Sequence, residues 1–113
     1  MEMKLYVSGP ITNELSHKEN FNKACRMLQN KRYETLDPHD VLACSDKSCI
    51  NKIDGNDHSY ACYLKYDIIA MLKDCDGVAM ISNWEYSVGA KLERHVARNC
   101  GLEVRSVEEW LSL

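Results

Sequence analysis

Apolar residues in this chain fall into short runs and helical stripes, and the two kinds of segment alternate. Residues 3–8, Met-Lys-Leu-Tyr-Val-Ser, make an apolar run of strand length that stops at Gly9-Pro10. Over residues 14–31 the period changes, and Phe21, Ala24, Cys25 and Leu28 mark one face of a helix. Residues 33–36 read as a second strand, closed by Asp37-Pro38. The pattern then lapses over 39–58, a polar stretch of Asn, Asp, Ser and Lys with one Gly. It reads as a long loop, and a loop of that length in so small a chain is functional or mobile. Helical spacing returns over 60–73 through Leu64, Ile68, Met71 and Leu72. Asp76-Gly77 opens a strand over 78–82, and residues 83–86 lead into a helix over 87–100 that Gly101 caps. A last strand at 102–105 and a terminal helical turn at 107–111 complete the pattern.

Strands alternating with helices predict an α/β fold. The expected form is a small doubly wound, flavodoxin- or Rossmann-like parallel sheet of four to five strands with helices on both faces. Ligands of such sheets bind beyond the carboxyl ends of the strands, where the strand order reverses. That point is expected between the first strand and the strand at 78–82. The loops 8–13 and 82–87 would then face each other across one crevice.

Composition narrows the partners. With 113 residues the chain is one domain, 1–113, and its net charge of -3 and pI near 5.8 leave no basic patch for a nucleic-acid polymer. No apolar run reaches membrane-spanning length and the first residues are not a secretion signal, so a cytoplasmic protein without a membrane partner is expected. Its six cysteines are then expected to be reduced thiols acting as small apolar residues. Cys44 and Cys49, with His39 and His58 nearby, have a gap that zinc tolerates but no paired CxxC knuckle, so no metal is expected. No cofactor is expected either, and His17, His39, His58 and His95 receive no role.

One charge does not fit this ordinary picture. In the helix over 87–100, Gly89, Glu93, Val96, Ala97 and Cys100 follow the stripe that a helix turns toward a sheet. The neighbours of Glu93 three and four residues away are Gly89, Ala90, Val96 and Ala97, so no cation on its own helix pairs with it. A carboxylate there either lines a cavity and does chemistry, or sits at the stripe's edge and reaches solvent. Asp67 repeats the anomaly among Tyr63, Leu64, Ala70 and Met71, with a solvated helix flank as its ordinary alternative. Two such carboxylates beside one crevice suit cleavage of a glycosidic bond.

The crevice has other candidate parts. Ser8-Gly-Pro-Ile-Thr-Asn13 offers amides, hydroxyls and a following helix N-terminus, a generic phosphate cradle, though it is no Walker loop. Trp84, Tyr6, Tyr60 and Tyr63 provide aromatic surface for a base, or simply packing. Ser87 is an N-cap whose hydroxyl and adjoining amides also suit an anion.

Three segments carry a family resemblance: Tyr6-Val-Ser-Gly-Pro-Ile-Thr12, the run 63–77 from Tyr-Leu-Lys-Tyr-Asp to Asp-Cys-Asp-Gly, and Asn83-Trp-Glu-Tyr-Ser-Val-Gly-Ala-Lys-Leu-Glu93. They resemble the small phage and bacterial DUF4406 proteins. The resemblance extends to the nucleoside 2-deoxyribosyltransferase-like superfamily, which includes the 2'-deoxynucleoside 5'-monophosphate N-glycosidases. It implies that Glu93 is the nucleophile at C1' of the sugar and that Asp67 contacts the sugar and assists departure of the base. Ser87 is implied to hold a 5'-phosphate, and Ser8, Gly9, Ile11 and Thr12 to frame phosphate and base. Tyr6, Tyr63, Asn83, Trp84 and Gly89 complete the expected substrate contacts. The resemblance further implies a homodimer or higher homo-oligomer.

The implied activity is an N-glycosidase or deoxyribosyltransferase acting on a (deoxy)nucleoside 5'-monophosphate. The alternative is a protein that binds or sequesters a nucleotide or an ADP-ribose-type signal. Three departures from the family pattern stand out: Ser-Val-Gly-Ala at 87–90, Asn13 where Gly is usual, and the stretch 39–58.

Overall fold

Strand β1 (Lys4–Ser8) organises the molecule, because its alternate residues serve two different cores. Leu5 and Val7 point to one side of the sheet, where α1 (His17–Asn30) and α4 (Val107–Leu111) lie. Tyr6 points to the other, where α2 (Tyr60–Asp74) and α3 (Val88–Asn99) pack. In the computed structural model, residues 3–41, 52–54 and 57–113 are described.

Beside β1 stand β2 (Glu34–Leu36) and β5 (Gly77–Met80), and β6 (Glu103–Ser106) follows β5. The order is β2-β1-β5-β6 with every pair parallel. After β2 the chain returns across β1 to β5, so the strand order reverses between β1 and β5, as expected. This is the α/β, Rossmann-like doubly wound architecture anticipated above, with four strands in the main sheet.

The α1 stripe is the one the sequence predicts: Phe21, Ala24, Cys25 and Leu28 are all buried. The helix begins at His17 rather than near residue 14, because Ile11–Glu14 forms a turn in which Asn13 takes a φ of 64°. Asparagine tolerates that left-handed conformation better than most residues do. Trp110 of α4 is 1% exposed, and its indole N–H donates to the Val78 carbonyl at 2.8 Å. Gly101, at a φ of 83°, follows the end of α3 as the expected cap.

Two further expectations change. The stretch 39–58 is not all loop: a 3-10 turn spans Pro38–Asp40, and β3 (Lys52–Asp54) pairs antiparallel with β4 (Asp57–His58). Strands of three and two residues are too short to display a period-two pattern. Cys100, assigned to the sheet-facing stripe, is exposed at the end of α3, whereas Cys25 and Cys75 are buried thiols outside any disulfide. The suggested metal ligands Cys44 and Cys49, and the His58 side chain, lie outside the described residues. Among the described residues no helix is long and apolar enough to cross a membrane.

Candidate active site

The stripe of α3 that meets the sheet is Ala90, Glu93 and Ala97. The two alanines let the helix lie close to the strands, and the longer side chain between them reaches β1. Glu93 is 6% exposed, and among the described residues no cation forms an ion pair with it. Tyr6 Oη donates to its Oε2 at 2.5 Å and Ser8 Oγ donates to its Oε1 at 2.7 Å. Tyr6 and Ser8 are two residues apart on one strand, so the pleat aims both hydroxyls at the same side. Both separations are in the range of charge-assisted O–H···O bonds.

These contacts set opposing influences on Glu93. Burial, the stronger influence, holds its pKa above the usual carboxylate range, and the hydrogen bonds from Tyr6 and Ser8 pull it only part of the way back by favouring the carboxylate. Tyr6, fully buried beside that carboxylate, is held far above the usual phenol range, first by burial and then by the charge of Glu93. It therefore remains a donor.

Asp67, in the middle of α2, has no such support. Its Oδ1 is buried and accepts no hydrogen bond. Burial first, then the charges of Glu93 and Asp37, push its pKa up to about 7. One carboxylate is thus stabilised by two hydroxyls, and the other is poised to carry a proton near neutrality.

Both acids line a cleft of about 460 Å³ at the carboxyl ends of β1 and β5, a volume suited to a small ligand. The loop Gly9, Ile11, Thr12 and Asn13 forms one wall and Tyr60 and Leu64 of α2 another. The entry to α3, from Tyr86 through Ala90, closes the third side. Of the described residues that line it, none is Lys, Arg or His, so the electropositive features are amide and hydroxyl groups. Ser87 caps α3 by accepting the Ala90 N–H at 3.1 Å, which leaves its own O–H proton to donate.

The model of the DUF4406 family, a domain of unknown function, matches residues 3–106. The chain belongs to the DUF4406 family. No curated protein and no solved structure matches it.

In this DUF4406 chain the residues singled out by sequence part into three groups. Glu93, Asp67, Gly9, Ile11, Thr12, Ser87 and Gly89 come together in the cleft. Tyr6 and Ser8 are each 0% exposed and lie behind it, holding Glu93 instead of lining the space. Tyr63, Asn83 and Trp84 are elsewhere. Trp84, the first residue of a 3-10 turn (Trp84–Tyr86), packs inward against the α2/α3 core with Arg94 stacked on its ring at 4.7 Å. Asn83, at a φ of 71°, borders a separate depression near Lys23 and Glu108. Tyr63 is 39% exposed on a neighbouring face of α2.

Sequence reasoning gave no place in the cleft to Leu64 or Val88. A usable signal was present: Tyr60, Leu64 and Asp67 are spaced four and three residues apart, one face of a helix.

A polar chain also escaped notice beside the first loop. Asp37 Oδ1 accepts the His39 backbone N–H at 2.9 Å and sits 2.7 Å from His39 Nδ1. His39 Nε2 faces His17 Nδ1 at 2.8 Å. With Asp37 accepting from His39 Nδ1–H, the remaining nitrogen of His39 accepts from His17. The ring planes are within 7° and the centroids 5.0 Å apart, so facing nitrogens at 2.8 Å put the imidazoles edge to edge rather than face to face. This chain joins the start of α1 to the end of β2. Among the described residues no three ligand-type side chains gather into a metal site.

Proposed function

We propose that this protein cleaves the N-glycosidic bond of a (deoxy)nucleoside 5'-monophosphate, with Glu93 as nucleophile and Asp67 as proton carrier. The reading draws on the nucleoside 2-deoxyribosyltransferase-like superfamily that the motifs resemble. The observation that carries it is the unequal pair of carboxylates in one cleft: Glu93 with two hydroxyl donors, Asp67 with a buried oxygen that has none.

The chemistry follows from that inequality. A Glu93 oxygen attacks C1', and the C1'–N bond breaks with its electron pair leaving on the base. Protonated Asp67 gives the base its proton. Tyr6 and Ser8 keep the attacking carboxylate oriented, which holds the reacting atoms in line. In the second half, water or another base attacks C1', the C1'–O bond to Glu93 breaks, and the acceptor's proton goes to Asp67. The 5'-phosphate lies at the N-terminus of α3, where the Ser87 hydroxyl and the first amides offer donors.

Incubation with a panel of ribo- and deoxyribonucleoside monophosphates and NAD, followed by chromatography for free base, tests the reading. Base from at least one member, abolished in Glu93→Ala, is the expected result. No base from any member would remove the proposal.

The 6% exposure of Glu93 favours a second reading, a nucleotide or ADP-ribose-type signal bound without turnover. Thermal stabilisation by one member of the panel, with no base released, would decide for it.

A further inference from the structure

Tyr60 opens α2 on one wall of the cleft and Gly89 lies in the first turn of α3 on the facing wall. A Cβ on Gly89 would collide with the Tyr60 hydroxyl, and the ring Cζ would lie 3.6 Å from it. The phenol therefore spans the cleft and rests against the one residue of that turn with no side chain. Its hydroxyl feels both acids: burial first, then the charges of Glu93 and Asp67, push its pKa up. Yet the residue as a whole is 57% exposed, and the Ser59 N-cap before it makes no side-chain bond that would pin the helix start. A side chain so placed reaches the facing wall of the cleft while staying largely exposed.

We propose that Tyr60 is a movable cover over the carboxylate pair, and that it decides whether water or a second base takes the sugar from Glu93. This rests on the glycosyl-transfer reading above. Once C1' is esterified to Glu93, attack by water sends a proton to Asp67 and restores the carboxylate. Attack by a ring nitrogen of a second base sends its N–H proton to the same place and breaks the same C1'–O bond. The two routes differ only in the acceptor. A phenol ring across the mouth offers a flat base an apolar face to lie against, while it screens the ester from bulk water. The missing side chain at Gly89 lets the ring close. An added methyl would displace a flexible side-chain tip, not backbone, so Gly89→Ala holds the cover open.

Two measurements test this on the intact protein. The first is activity-independent: carbodiimide labelling of Glu93, read by peptide mass. Labelling is expected to rise about fivefold in Tyr60→Ala and in Gly89→Ala, and to stay at the wild-type rate in Tyr60→Phe, which keeps the ring. Equal labelling in all four proteins overturns the cover. The second is the ratio of hydrolysed to transferred sugar when a second base is supplied with the substrate. It is expected to rise about tenfold in Tyr60→Ala and Gly89→Ala and to hold in Tyr60→Phe. An unchanged ratio in Tyr60→Ala overturns the acceptor role. A wild type that releases no base overturns that role together with the glycosyl reading, and labelling still decides whether Tyr60 covers Glu93.

Discussion

The two sides of the sheet draw on alternate residues of the same strands but differ in kind. The side under α1 and α4 is an apolar core of Leu5, Val7, Phe21, Leu28 and Trp110, in which the indole N–H is satisfied by the Val78 carbonyl. The side under α2 and α3 starts the same way, with Met71, Val78, Met80 and Ala97. Toward the carboxyl ends of the strands it changes into a buried acid with two hydroxyl donors and a second acid with an orphaned oxygen. A core built only for stability has no use for such a group, because burying a charge costs more than packing a hydrocarbon of similar size. The apolar side therefore holds the fold, and on the proposed reading the polar end of the other side carries the chemistry.

Substitutions on the two sides should separate these roles. The largest effect is expected from Glu93→Gln: base release falls on the order of a thousandfold or more, while the melting temperature holds or rises because a buried charge is gone. A variant that loses stability with its activity would mean that Glu93 belongs to the core. On the other side, Trp110→Ala should lower unfolding free energy by about 3–5 kcal/mol in denaturant melts, since it empties a large buried site. The activity remaining per folded molecule should be unchanged.

Removing one donor should give an intermediate result. Ser8→Ala strips a hydrogen bond from the ionised Glu93, so the acid limb of the pH–rate profile should move to higher pH. The bond itself is of a class worth about 1.5–3 kcal/mol. An acid limb that stays put would mean that the hydroxyl is not tuning the nucleophile.

The smallest effect on stability belongs to Asp67. Its folded pKa of about 7 stands above the ordinary 3.8, so the native state keeps a proton that the unfolded chain releases. Its favourable contribution is complete below the unfolded value and is lost as pH rises through the folded one. The advantage of Asp67→Asn over wild type should therefore grow as pH rises between those two values and persist above the higher one. The gain is about 1–2 kcal/mol after allowance for the solvent that reaches this half-buried group. Melts at both ends of that window check the sign, and a gain confined to low pH would contradict it.

How much of this was legible in the chain depended on distance along it. The α1 stripe, the alternation of elements and the isolation of Glu93 from cations are local, and three- and four-residue spacings reveal them. The partners of Glu93 are not local: Tyr6 and Ser8 lie 87 and 85 positions away, and only the parallel pairing of β1 with β5 brings α3 over them. Sequence thus marked both residues as important, but as ligand contacts instead of supports. Trp84 misled for a similar reason, because the direction of a 3-10 turn, not residue type, decides whether its ring faces cleft or core. Asp37, His39 and His17 were individually ordinary and became a chain only when the end of β2 met the start of α1.

The central claim is that Glu93 forms a bond to the sugar. A reaction with an active member of the nucleotide panel, quenched within the first turnover and digested, would reveal it by peptide mass. The account predicts the mass of the sugar phosphate added to the peptide that contains Glu93, and no addition in Glu93→Gln. Free base accumulating with no adduct, and at a rate that Glu93→Gln leaves unchanged, would contradict it.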